Sequence, residues 1–200
     1  KGDNGQTIML GGVKADGTSA VNELTWIALR VARDVALIDP KINLRIDART
    51  DPELLTLAAE LTRLGLGFPQ YANDDVVIPA LVKAGYALED ARNYTVAACW
   101  EFIIPGRGME VVNIGAVSMP AAVDRAIRDG LTAGESFEAI LDRTSKEIAA
   151  QVDKLASSHR GLVLPPAPYY SVLMDGCLER GRDLSCGLTY NNFGIHGAGS

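Results

Sequence analysis

From Ala20 onward, apolar residues recur at Val21, Leu24, Ile27, Ala28, Val31, Val35 and Ile38, the spacing of one face of a helix. Ser19 stands where its N-cap is needed and Asp39-Pro40 where it must stop. Asn43 to Asp47 then alternates like a short strand, and Pro52 to Leu64 predicts a second helix, with Pro52 in its first turn and Gly65 and Gly67 ending it. Phe68 to Asn73 reads as an extended segment. Asp74 and Asp75 open a third helix through Val77, Leu81 and Val82 that ends at Gly85. Tyr94 to Ala98, small, β-branched and apolar, predicts a buried strand ending at Cys99. Strands alternating with helices imply βαβ units and a parallel sheet or barrel. The opening Met9-Leu10-Gly11-Gly12 and Asp16-Gly17-Thr18-Ser19 read as glycine-rich turns. Past the loop Pro105-Gly106-Arg107-Gly108, an apolar stretch covers Val111 to Val117 and Pro120 opens a helix. Residues 136–158 predict a longer amphipathic helix, Tyr169 to Arg180 another, and Leu188 to Gly194 a strand or loop.

Composition narrows the class. The chain has 200 residues, 48% of them hydrophobic and 22% charged, and this argues for a folded domain, or part of a larger one, over disorder. A net charge of −6 with no Lys/Arg cluster argues against a nucleic-acid partner. No apolar run reaches the ~18–20 residues of a membrane span. Three widely spaced cysteines, Cys99, Cys177 and Cys186, make no disulfide framework and point to a reducing compartment. With only His159 and His196 and no Cys-x-x-Cys, no zinc spacing exists, so no metal site is expected. Gly11, Gly12 and Gly17 lack the G-x-G-x-x-G spacing of a dinucleotide site. The start lacks both a signal-peptide pattern and an initiator Met, and the expectation is an internal fragment.

The sharpest local feature is Ala98-Cys99-Trp100-Glu101, a thiol and a carboxylate two positions apart at the end of a buried strand. In an extended backbone such residues share a face, roughly 6–7 Å apart, and one small molecule can touch both. Alone, the spacing is equally that of a core cysteine beside a surface glutamate. Asn73-Asp74 reads as a substrate contact or as a turn and helix cap. Arg45 and Arg49 read as anion-binding groups or as partners of Asp47 or Asp51. Arg107 reads as a solvated loop arginine or as one that reaches a carboxylate, Cys177 and Cys186 as packing residues, His159 as an exposed helix end and His196 as a loop residue.

Taken in order, the segments Gly11-Gly12, Asp16 to Leu24, Asn43-Leu44-Arg45, Gly65 to Asp74, Glu89 to Tyr94 running into Cys99-Trp100-Glu101, and Asp175 to Asp183 are distinctive. Together they resemble the glycyl radical enzymes, the pyruvate formate-lyase superfamily, over nearly the whole chain. The resemblance implies an α/β fold, part of a ten-stranded β/α barrel of the pyruvate formate-lyase type. Residues 1–200 would form part of one barrel domain, without the C-terminal glycine-radical domain. In that family a loop-tip cysteine inside the barrel meets a glycine on a second loop. By resemblance Cys99 is the thiyl-radical cysteine, Glu101 the base of the Cys-x-Glu subgroup, and Asn73, Asp74 and Trp100 substrate-binding residues. No cofactor is bound directly. A radical SAM activating enzyme, using S-adenosylmethionine and an iron–sulfur cluster, installs the glycyl radical outside this chain. The other partner is a small-molecule substrate, a homodimer is compatible, and the setting is the anaerobic cytoplasm or a bacterial microcompartment.

The residue types suit this chemistry. A thiol that gives up a hydrogen atom needs no ionisation, and Val96, Ala97, Ala98, Phe102, Ile103 and Ile104 supply an apolar setting without a neighbouring histidine. The resemblance implies a dehydratase-like lyase. Where pyruvate formate-lyase carries a Cys-Cys pair, this chain has Ala98-Cys99, and this weighs against formate acetyltransferase chemistry. Many Cys-x-Glu members read Gly-Cys-Val-Glu-Pro where this chain reads Ala98-Cys99-Trp100-Glu101-Phe102, so the bulk of Trp100 implies a remodelled pocket. The Arg-Val-x-Gly-Tyr radical loop is not in the sequence, and residues 1–200 alone are expected to be inert. A noncatalytic barrel piece, structural or binding, is the alternative of another class, and a two-electron barrel lyase ranks last.

Overall fold

The structure is a computed structural model and describes residues 7–97, 101–111, 115–159, 163–193 and 196–198. The chain divides into two compact units, 1–108 and 109–200.

The first unit opens on strand β1 (Thr7–Gly11), helix α1 (Glu23–Val35), strand β2 (Lys41–Ile46), helix α2 (Pro52–Arg63) and strand β3 (Gln70–Asn73). The three strands form one parallel sheet in the order β1-β2-β3. Both crossover helices lie on one face, because Ile42 and Leu44 of β2 share a core with Leu29 of α1 and with Leu54, Leu57, Ala58 and Leu61 of α2. With side chains alternating along β2, Asn43 and Arg45 fall on the opposite face. Neighbours in sequence are neighbours in the sheet, with both crossover helices on one side, unlike a doubly wound sheet.

The predicted helix over 20–38 is shorter than its pattern. Val13 and Ser19 pair across a small antiparallel bridge, so Ser19 is extended and its hydroxyl accepts the Val21 N–H instead of capping a helix. Asn22 is the cap, exchanging hydrogen bonds with Thr25 in a capping box, and Ala36 ends the helix in a left-handed conformation. The second helix starts as expected: Pro52 occupies its first turn and the Asp51 carboxylate accepts the Glu53 N–H at 2.8 Å.

After β3 the chain enters α3 (Asp74–Lys83) and α4 (Leu88–Arg92), the latter a short turn that the sequence pattern does not separate. Strands β4 (Thr95–Ala97) and β5 (Glu101–Ile103) follow as an antiparallel pair with Ala97 opposite Glu101 and Val96 opposite Phe102.

β6 (Gly108–Val111) begins on the last residue of the first unit, and the second unit goes on with β7 (Ala116–Ser118), α5 (Met119–Ala133), α6 (Phe137–His159), α7 (Pro168–Ser171), α8 (Cys177–Arg180), α9 (Leu184–Gly187), β8 (Tyr190–Phe193) and β9 (His196–Ala198). β6 pairs with β8, and β7 runs parallel to β9. Ala122, Ala126 and Gly130 form a small-residue seam on α5, and a Cβ at Gly130 would come within 2.5 Å of the Ile140 side chain on α6. The single helix expected over 169–180 is instead the separate turns α7 and α8, because Gly176 at φ +83° interrupts it. Asp183 then caps α9 and accepts bonds from the Ala167 and Ser185 N–H groups and the Ser171 hydroxyl, which hold its carboxyl at about 2. Cys177 packs with Leu184 and Leu188, as a packing residue should, and burial pushes its thiol up. Cys186 is exposed. His196 lies in β9 opposite Ala116 rather than in a loop. No helix among the described residues is long and apolar enough to cross a membrane.

Candidate active site

The face of β2 turned away from the helices carries buried polar groups. Neither amide atom of Asn43 has a hydrogen-bond partner among the described residues. Two positions on, Arg45 is 5% exposed and grips Asp74, 3% exposed, through two parallel bonds of 2.8 Å from Nε and Nη2. This bidentate fork is the strong form of an ion pair. The third guanidinium nitrogen, Nη1, donates to the Tyr94 carbonyl at 3.1 Å, and the guanidinium carbon lies 3.9 Å from the Tyr94 ring centroid. The Tyr94 hydroxyl donates to Asp74 Oδ1 at 2.6 Å. Burial first, then the Asp74 hydrogen bond and charge, push the Tyr94 phenol far above its ordinary range, so it stays a donor.

The Gly11-Gly12 pair makes room for this arginine. A Cβ on Gly12 would lie 2.6 Å from Arg45 Nε, and the residue sits at φ +81°. Gly65, at φ +74°, has nothing within 4 Å of its would-be Cβ. Gly65→Ala should therefore cost about 1–2 kcal/mol for the left-handed backbone alone, and Gly12→Ala clearly more. Unfolding midpoints of the two variants check this; equal losses would mean that Arg45 is not tightly seated.

Tyr94 leads into β4, and its ring meets Phe102 of β5 edge-on, with centroids 5.4 Å apart. Glu101, opposite Ala97, opens β5 and is 7% exposed, with Val96 and Ile104 buried in the same hairpin. The carboxylate is thus turned away from bulk solvent. The strand expected to end at Cys99 is answered by an antiparallel strand that begins at Glu101. Cys99 and Trp100, like Ala98, lie outside the described residues. Asn73 is exposed and caps α3, its side chain accepting the Asp75 N–H at 3.0 Å. Asp74 has both oxygens engaged by Arg45 and Tyr94.

Arg49 pairs with Asp47, at 2.6 Å from Nη2, and Arg107, its side chain 44% exposed, reaches both Asp90 oxygens at 2.8 and 2.9 Å. A cavity of about 320 Å³ opens at the C-terminal ends of β1 and β2, lined by Gly12, Ser19, Trp26, Arg45, Asp47 and Arg49 among others. Neither Asp74 nor Glu101 lines it. Sequence reasoning missed Tyr94 as a site residue. Its signal, an aromatic donor just ahead of the hairpin strand, has meaning only once Arg45 and Asp74 are known to converge there.

The profile of the family described as "Pyruvate formate lyase-like" matches residues 1–200. The chain belongs to that family, the glycyl radical enzymes. Among the family's curated members it is 28% identical over 222 residues to (2S)-3-sulfopropanediol dehydratase of Klebsiella oxytoca, a match covering 100% of this chain and 27% of that protein. It is 32% identical over 125 residues to isethionate sulfite-lyase of Desulfovibrio desulfuricans, covering 62% of this chain and 15% of the relative. Among solved structures, the glycerol-bound form of the B12-independent glycerol dehydratase from Clostridium butyricum superposes with a TM-score of 0.76 at 31% identity, over 96% of this chain and 27% of that one. The chain spans about a quarter of the length of the sulfopropanediol dehydratase and of the glycerol dehydratase.

Proposed function

We propose that the full-length protein is a glycyl radical lyase of the dehydratase kind, and that residues 1–200 supply the parallel strands and the catalytic hairpin of its ten-stranded barrel. Family membership and the likeness to two dehydratases and a sulfite-lyase support the reaction class. The observation that carries the site assignment is the burial of Glu101 at the start of the returning hairpin strand. A radical held on a glycine elsewhere in the protein, installed by an activating enzyme, supplies the one-electron character of the reaction. The apolar, enclosed setting of Val96, Tyr94 and Ile104 fits such a group, because hydrogen-atom transfer needs water kept away and no charge stabilised.

In this reading the Cys99 thiol, having given up its own hydrogen atom to the radical held on the glycine, takes a hydrogen atom as a thiyl radical from a substrate carbon that bears a hydroxyl. Glu101 accepts the hydroxyl proton, which pushes electron density toward the neighbouring carbon and expels its leaving group. For a diol the leaving hydroxyl departs as water with the proton that Glu101 held, and the hydrogen atom returns from sulfur to the product carbon. Trp100 shapes the pocket beside them. Asn73 and Asp74 serve the site through the backbone and through Arg45 rather than by touching substrate.

The test uses the activated full-length protein with a panel of 1,2-propanediol, glycerol, choline, isethionate, trans-4-hydroxy-L-proline and arylacetates. At least one should give the elimination product, with a carbonyl or imine formed in step with release of water, amine or sulfite. A preparation with a full glycyl radical signal that leaves the panel untouched but forms formate from pyruvate and coenzyme A would replace this reading with acetyl transfer.

A further inference from the structure

We propose that Arg45, Asp74 and Tyr94 form a clamp that positions the β4–β5 hairpin, and with it Cys99 and Glu101, for hydrogen-atom and proton transfer; this rests on the lyase reading above. Three elements far apart in sequence converge on the hairpin base. Arg45 comes from β2, Asp74 from the first turn of α3, and Tyr94 from the residue before β4. Tyr94 is held at its backbone carbonyl by Arg45, at its hydroxyl by Asp74 and across its ring by the guanidinium. Its edge-on contact with Phe102 passes the constraint to the returning strand, one residue beyond Glu101.

The energetics favour placement as the reason for this arrangement. A buried ion pair is seldom more stabilising than apolar side chains of the same volume. What the forked arginine adds is direction, because its two parallel bonds and its third donor fix the angle as well as the distance. Transfer of a hydrogen atom to one group and a proton to another demands such fixing, since displacement by about 1 Å costs about 10²-fold in rate. The Gly11-Gly12 backbone packed against the arginine is part of the same fixture.

Tyr94→Phe is the decisive variant, since it removes one hydrogen bond and keeps the ring. It is made in the full-length protein and read three ways: radical content by electron paramagnetic resonance, steady-state kinetics, and hydrogen–deuterium exchange of the unactivated protein. We expect radical content to match the parent, kcat to fall about 10- to 100-fold with KM within about three-fold, and exchange to rise in peptides spanning 94–104 but not in 41–46 or 52–63. Asp74→Asn should raise exchange in the same 94–104 peptides. Unchanged exchange at 94–104 in both variants overturns the clamp. A rise of equal size across 41–63 also overturns it, making these residues ordinary stability groups. Exchange raised at 94–104 with kcat intact would show a hairpin that is held but carries no chemistry. The lyase site assignment then fails while the structural contact stands.

Discussion

Glu101→Gln in the activated full-length protein should lower kcat for elimination by about 10²–10⁴-fold, the range of a positioned general base. The amide matches the carboxylate in shape and can still accept a hydrogen bond, but it cannot take up the substrate's hydroxyl proton. The side chain is almost wholly enclosed, so water has poor access to stand in for it. Hydrogen abstraction itself does not need the carboxylate. The variant should therefore still exchange substrate hydrogen with the enzyme thiol, visible as scrambling of a deuterium label, while releasing little product. Glu101→Asp, which keeps the acid and withdraws it by one methylene, should fall between the two. A variant with undiminished release of water, amine or sulfite would mean that proton removal is done elsewhere, and the hairpin glutamate would lose its assigned role. Tolerance of the amide is also what an acetyl-transfer enzyme would show, so this measurement separates the two enzymatic readings from a second side.

The sequence pattern carries the local elements well where punctuation and periodicity agree. Asp51-Pro52 starts α2 where expected, Asn73 caps α3, and the β2 alternation puts Ile42 and Leu44 against the helices. It fails where a tertiary pairing overrides a local signal. Ser19 is a good cap by type, yet the bridge to Val13 leaves the capping to Asn22. The 169–180 segment has helical spacing, yet a glycine at positive φ divides it. The strand pattern ends at Cys99, and the pairing of Ala97 with Glu101 adds that the chain returns antiparallel from Glu101. The family is legible in the ordered motifs, and Glu101 is singled out as the candidate acid by its place after the cysteine. The partners of Arg45 are not legible there. Asp47 and Asp51 are nearer in sequence, but alternation turns Arg45 to the face where Asp74 and Tyr94 arrive from 29 and 49 residues away.

The charge inside the clamp sets an order of damage. Asp74→Ala should make local opening of the hairpin easier by about 3–5 kcal/mol, because it strands a buried charge. The guanidinium cannot shed its proton to escape, and two of its donors lose their acceptor at once, while the Tyr94 hydroxyl loses its own. Arg45→Leu should cost less. Asp74 keeps the Tyr94 hydroxyl, and it sits in the first turn of α3, where the helix end favours a negative group. Leucine also refills part of the volume against Gly12. Tyr94→Phe should cost least, about 1.5–3 kcal/mol, as the loss of one hydrogen bond to a charged group. Native-state hydrogen exchange at residues 94–104 reads all three as opening free energies without requiring the large protein to unfold reversibly. If Arg45→Leu proves the most damaging, the stack on Tyr94 and the bond to its carbonyl outweigh charge neutralisation. The arginine would then be the keystone of the hairpin base, with Asp74 merely its counter-ion.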